Sequence, residues 1–134
     1  MKNRSMLTLE DCKKISAAAE AEARKNNWNV CITIHDDGGH LLHLVRMDGA
    51  TPANSRIATE KGRTAAETRR STAMWEERVK SGRMAMLSMP GVTPVQGGVP
   101  IVVDGECIGA VGVSGVQSHE DEQIAKAGIA VLTP

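Results

Sequence analysis

The chain has 134 residues, enough for one domain, taken here as residues 1–134, that buries roughly two-thirds of its unfolded surface and folds without disulfides or a structural metal. Its 16 Lys and Arg balance 16 Asp and Glu, which removes the cationic footprint of a protein that tracks a phosphate backbone, so nucleic acid is not an expected partner. No apolar run approaches the ~20 residues that cross a bilayer, and the polar opening Met1-Lys2-Asn3-Arg4 lacks a signal-peptide core, so no membrane partner is expected and the expected compartment is the cytoplasm.

The first predicted element opens on Thr8-Leu9-Glu10-Asp11, a hydroxyl three residues ahead of an acid, which forms a capping box; Ile15, Ala18, Ala19 and Ala23 then recur at helical spacing to about Lys25. Asn26-Asn27 stops it. Val30 to His35 is rich in β-branched residues and reads as a strand, Asp37-Gly38-Gly39 as a turn, and Leu41 to Met47 as the second strand of a hairpin. Beyond Pro52, Asn54 or Ser55 is suited to cap a second helix running to about Arg70, with a third from Met74 to Lys80.

The stretch 81–100 holds Pro90, Pro94, Pro100 and four glycines, too broken for a simple connector, and reads as a lid, a ligand wall or a mobile segment. Its Met84, Met86, Leu87 and Met89 argue for packing or a subunit contact. Asp104-Gly105 between two apolar runs is a strong hairpin signal, and Gly109 and Gly112 in the second run mark a place where backbone or ligand comes close. Ser118 and Asp121 resemble a capping box at the head of a last helix. Helix, hairpin, two helices, loop, hairpin, helix requires no parallel crossover between neighbours, so the expected fold is an α+β sandwich with an antiparallel sheet of four to five strands.

Seven stretches in this order carry a resemblance: Leu9-Glu10-Asp11 into an Ala/Glu-rich helix, Asp36-Asp37-Gly38-Gly39-His40-Leu41, Val45-Arg46-Met47-Asp48-Gly49-Ala50, Lys61-Gly62-Arg63-Thr64-Ala65, Gly97-Gly98-Val99-Pro100-Ile101, Gly109 to Gly115, and Asp121 followed by Ala125-Lys126-Ala127-Gly128. Over nearly its whole length the chain resembles the GlcG/HbpS-like family, which also supplies the C-terminal domain of some corrinoid adenosyltransferases. The resemblance implies a profilin-like sandwich, assembly into dimers or larger rings, and haem or a related planar tetrapyrrole as a ligand in some members, others standing in catabolic operons. His35 and His43 stand where the family usually carries aliphatic or small residues.

Lys61 is the leading candidate site residue, because Ile57, Lys61 and Ala65 at i, i+4 and i+8 place an ammonium on the apolar stripe of the second helix. It either pairs with an acid such as Asp121 or serves as a pocket cation, base or nucleophile. Arg46 is suited to clamp a carboxylate, or to pair locally with Asp48. Gly97, Gly98, Ser114 and Gly115 offer backbone amides and a hydroxyl to an anion near the start of the last helix. His35 and His43 lie on facing strands and form a metal or proton-transfer pair only if their register puts them on one face.

His40 follows the first turn and is placed to reach haem iron at a subunit contact; His119 belongs to the cap of the last helix. The cysteines 12, 31 and 107 are odd in number and widely spaced, and read as reduced thiols; Cys31 lies about 13 Å along a strand from His35, outside reach as a nucleophile pair. The expectation is a homo-oligomer that binds a small anionic molecule, haem foremost, in a cationic pocket of Lys61, Arg46, Asp48, the Gly97-Gly98 loop, Ser114-Gly115 and Asp121, with His40 or His43 on the iron. Two alternatives stand beside it: proton transfer on a small dicarboxylate or oxo acid by Lys61 or His35, of the tautomerase or lyase type, and an accessory subunit docking through its Met-rich loop.

Overall fold

A computed structural model describes residues 1–132. The elements run α1 (Leu9–Lys25), β1 (Cys31–Asp36), β2 (Leu41–Arg46), α2 (Ala53–Thr68), α3 (Thr72–Lys80), a 3-10 turn (Met84–Ser88), β3 (Gly98–Val103), β4 (Glu106–Ser114) and α4 (Ser118–Ile129). The four strands form one antiparallel sheet in the order β2-β1-β4-β3, so the fold is the α+β architecture expected from the two hairpins.

The two faces of the sheet are built from different chemistry. Alternation along β1 turns Ile32 and Ile34 toward α1 and α4, where they join Ile15, Ala19, Ile101, Val111, Val113 and Ile124 in the aliphatic core. The same alternation turns Thr33 and His35 toward α2, where Thr33 Oγ1 lies 3.0 Å from the Ala58 carbonyl oxygen. That second face is thin. A Cβ added at Gly112 would sit 2.1 Å from the Ala58 carbonyl oxygen, and one at Gly62 would sit 2.4 Å from the His35 ring. The helix therefore crosses the sheet backbone to backbone, and glycine is the residue that admits it.

Local chemistry explains most element ends. Thr8 and Asp11 form the reciprocal capping box of α1. At α4 the box is made one position earlier than the sequence implied: Gln117 is the cap and Glu120 its partner, because Asp121 is turned inward. Pro52 rather than Asn54 or Ser55 precedes α2, with no side-chain cap. Asn54 instead accepts from the Ser114 hydroxyl at 2.8 Å. α2 closes on Arg69 in the left-handed region, φ 60 and ψ 24, where a residue with a Cβ costs about 1 kcal/mol relative to glycine.

Stretch 81–100 is more ordered than its composition implies. It folds through the 3-10 turn with Met86 buried, is pinned to α2 where the Thr93 amide donates to Thr64 Oγ1 at 3.0 Å, and enters β3 already at Gly98. Gly98 pairs with Gly112, and a Cβ on it would meet the Lys61 carbonyl oxygen at 2.2 Å, so a glycine that reads locally as loop is a strand residue under a helix.

Candidate functional site

Lys61 is inside the protein, as its position on α2 implied, and its ammonium is engaged there. Lys61 Nζ donates to Asp121 Oδ2 and to the Val113 carbonyl, each at 3.0 Å, with 2 % of the side chain exposed. The inward row of α2 is Ala58, Lys61, Gly62 and Ala65, while Ile57 lies outside with 38 % exposure. The stem passes Gly97, where an added Cβ would lie 2.8 Å from Nζ, and so reaches α4 on the opposite face of the sheet. Burial pushes the Asp121 carboxyl up to about 6, against the pull of the Lys61 ammonium and the Val116 amide. The pair is a strut between the two helical layers.

The other members of the expected cationic pocket are likewise turned to internal partners or stand apart. The Gly98 amide donates to Thr72 Oγ1 at 2.8 Å, the Gly97 carbonyl accepts from the Val113 amide at 3.0 Å, and Gly115 backs onto the Asn29 carbonyl and Val30. Arg46 and Asp48 are both exposed at the end of β2, and among the described residues no ion pair joins them. A cavity of about 520 Å³ lies elsewhere, along the N-terminal segment and the β3–β4 turn, and its cations already hold acids: Lys2 Nζ lies 2.6 Å from Glu106, and Arg4 pairs with Asp37.

The histidines separate by face. The register sets His43 opposite Ile34, on the α1 side, while a bulge between Ile34 and His35 sets Leu41 opposite His35 on the α2 side. His35 and His43 therefore do not form a pair, because one-residue alternation puts them on opposite faces. His35 is fully buried, with Nδ1 3.1 Å from the Gly39 carbonyl and Nε2 3.0 Å from Thr33 Oγ1. A carbonyl only accepts, so Nδ1 carries the proton; burial foremost pushes the ring below its ordinary value, and it is neutral. His43 is half-buried, and its Nδ1 has no hydrogen-bond partner among the described residues.

His40 is different in kind. It heads β2, its side chain is 80 % exposed, and its Nδ1 lies 3.1 Å from both carboxylate oxygens of Asp36. Asp36 Oδ1 also accepts from the Gly38 and His40 amides at 2.9 Å each. Partial burial raises the Asp36 carboxyl, but those amides and the imidazole outweigh it, holding it below the usual value and ionised. A carboxylate facing Nδ1 fixes the proton there and leaves the Nε2 lone pair outward, the arrangement in which histidines bind metal ions. Directly after it, Leu41, Leu42 and Leu44 are exposed by 47, 40 and 39 %.

The sequence reading named His40 but missed Asp36. The available signal was an acid whose oxygen reaches the amides two and four residues on, across a glycine turn. Among the described residues no group of three or more His, Cys, Asp or Glu is placed to hold a bare metal ion. A haem iron asks less of the protein: one axial nitrogen, oriented, beside apolar surface. Asp36, His40 and the leucines of β2 fit that demand.

The family model described as haem degrading protein HbpS-like matches residues 7–130. Protein GlcG of Escherichia coli (strain K12) is 52 % identical over 114 residues, 85 % of each chain. An uncharacterized 15.0 kDa protein in the dhaT-dhaS intergenic region of Citrobacter freundii is 32 % identical, covering 92 % of this chain and 89 % of that one. Among solved structures, a double mutant of Streptomyces reticuli HbpS superimposes with a TM-score of 0.91 at 31 % identity, over 100 % of this chain and 92 % of that one. A PduOC:heme complex gives 0.87 at 26 % identity over 96 % of each. No helix among the described residues is long and apolar enough to cross a membrane.

Proposed function

For a chain that belongs to the HbpS-like family, we propose haem binding as the function, with His40 Nε2 as the iron ligand and Asp36 as the group that orients it. The observation that carries the proposal is the exposed imidazole whose Nδ1 is held by an ionised carboxylate. A relative solved as a haem complex supports the ligand class, and the leucines of β2 supply apolar surface for a macrocycle. Bound haem would supply an iron centre, and His40 Nε2 would be the group that holds it. The protein's part is to aim that nitrogen outward and fix its direction.

The reading moves the site from Lys61 to the β1–β2 turn. Proton transfer by Lys61 or His35 has no support in the geometry, since both are buried and bonded inside the chain. Assembly of several copies belongs to the same proposal, because a single chain leaves His40 and the β2 leucines open to solvent, a surface that a second copy would cover. The test is titration of the purified protein with hemin. A saturable Soret shift is expected for the wild type and its loss for His40→Ala; an unshifted wild-type spectrum, or a His40→Ala spectrum identical to wild type, refutes the assignment.

A further inference from the structure

We propose that Arg69 is a positioning residue for His40, clamping the β1–β2 turn to the end of α2 so that the ring is presented in one orientation; the proposal rests on the haem reading for its purpose. Arg69 ends α2 at φ 60 and ψ 24, the conformation that glycine supplies without steric cost and asparagine tolerates better than other residues. A long side chain held in that region needs a reason to be there. Its Nη1 gives one: it donates to the Ala66 carbonyl at 2.7 Å, in the last turn of α2, and to the Asp37 carbonyl, in the middle of the β1–β2 turn.

Every other point of that turn is also fixed. The Asp37 carboxylate pairs with Arg4, Asp36 gathers the Gly38 and His40 amides and the His40 ring, and the Gly39 carbonyl meets His35 Nδ1. Gly39 itself takes φ +85 with Glu67 and Arg63 packed against it. The most exposed ring on the hairpin thus stands on a turn tied from four sides. The hydrogen bonds of Arg69 go to the Ala66 and Asp37 carbonyls, and none goes to the His40 ring. It acts through the Asp37 backbone, and no shorter side chain at the end of α2 bridges both carbonyls.

Glycine at position 69 separates positioning from mere support, because it removes the backbone strain and the clamp together. For Arg69→Gly, with Arg69→Asn as a second left-handed-tolerant variant, the thermal midpoint should hold or rise. Amide exchange at Gly38 and His40, measured by NMR on the haem-free protein, should speed up about tenfold, the factor that loss of one charge-assisted hydrogen bond represents. The hemin dissociation constant should rise about tenfold or more, as for loss of an outer-shell partner. Unchanged exchange at Gly38 and His40 in both variants overturns the clamp, whatever hemin does. A fall in thermal midpoint that tracks the exchange in both variants overturns it too, since a structural prop would give that result. If the wild type shows no Soret shift, the haem reading falls while the exchange data still decide the clamp.

Discussion

Two acid–base pairs, Lys61 with Asp121 and His40 with Asp36, have nearly the same separation, 3.0 and 3.1 Å, and opposite surroundings. The first joins α2 to α4 through the end of the sheet and is sealed, its ammonium held by the Asp121 carboxylate and the Val113 carbonyl. The second sits on a hairpin turn with one nitrogen bound and the other facing water. A buried cation beside glycines looks like the better binding site in sequence, and it is the one whose charge is already neutralised. Availability, rather than the presence of charge, decides which pair can receive a guest.

The comparison breaks most visibly at Lys61. Lys61→Met leaves the Asp121 carboxylate buried without its cation, and chemical denaturation should show a loss of about 3–5 kcal/mol. Lys61→Met with Asp121→Leu replaces the pair by apolar volume and should recover stability to within about 1 kcal/mol of wild type, since a buried ion pair contributes little net over a packed isostere. At the open pair the cost falls on ligation instead. Asp36→Asn keeps the shape of the turn but removes the carboxylate, and should weaken hemin binding by about 10–100-fold in a Soret titration.

The smallest effect is on pH. His35 is held neutral, so its contribution is complete above about pH 6.5 and is lost as pH falls through its depressed value. Asp121, raised to about 6, acts in the opposite sense: its contribution is complete below about 3.8 and lost as pH rises through about 6. The two partly cancel between those limits. Subtracting the stability profile of His35→Gln from that of wild type isolates the first, and the difference should shrink on acidification below pH 6.5.

Much of the architecture was readable because its signals are local. Thr8 and Asp11 mark the start of α1, Asp37-Gly38-Gly39 and Asp104-Gly105 mark both hairpins, and β-branched runs mark the strands. What failed depends on partners far along the chain. Gly98 reads as loop until Lys61 is seen lying over it, and the cap of α4 shifts to Gln117 because Asp121 is drawn toward a lysine 60 positions away. Asp121 was nameable as that partner from charge alone; that it closes the site was not. The separation of His35 from His43 follows from one bulge that no residue type announces. Arg69 gives no sequence signal at all, since its role depends on a left-handed backbone and a carbonyl from another element.

Parallel hemin titrations of His40→Ala and of the Lys61→Met, Asp121→Leu double variant, both checked for folding by circular dichroism, test the central assignment most directly. The open turn as the site predicts that the double variant keeps the wild-type Soret shift and that His40→Ala loses it. The reverse pattern, a shift that survives loss of His40 and vanishes with the buried pair, would contradict it.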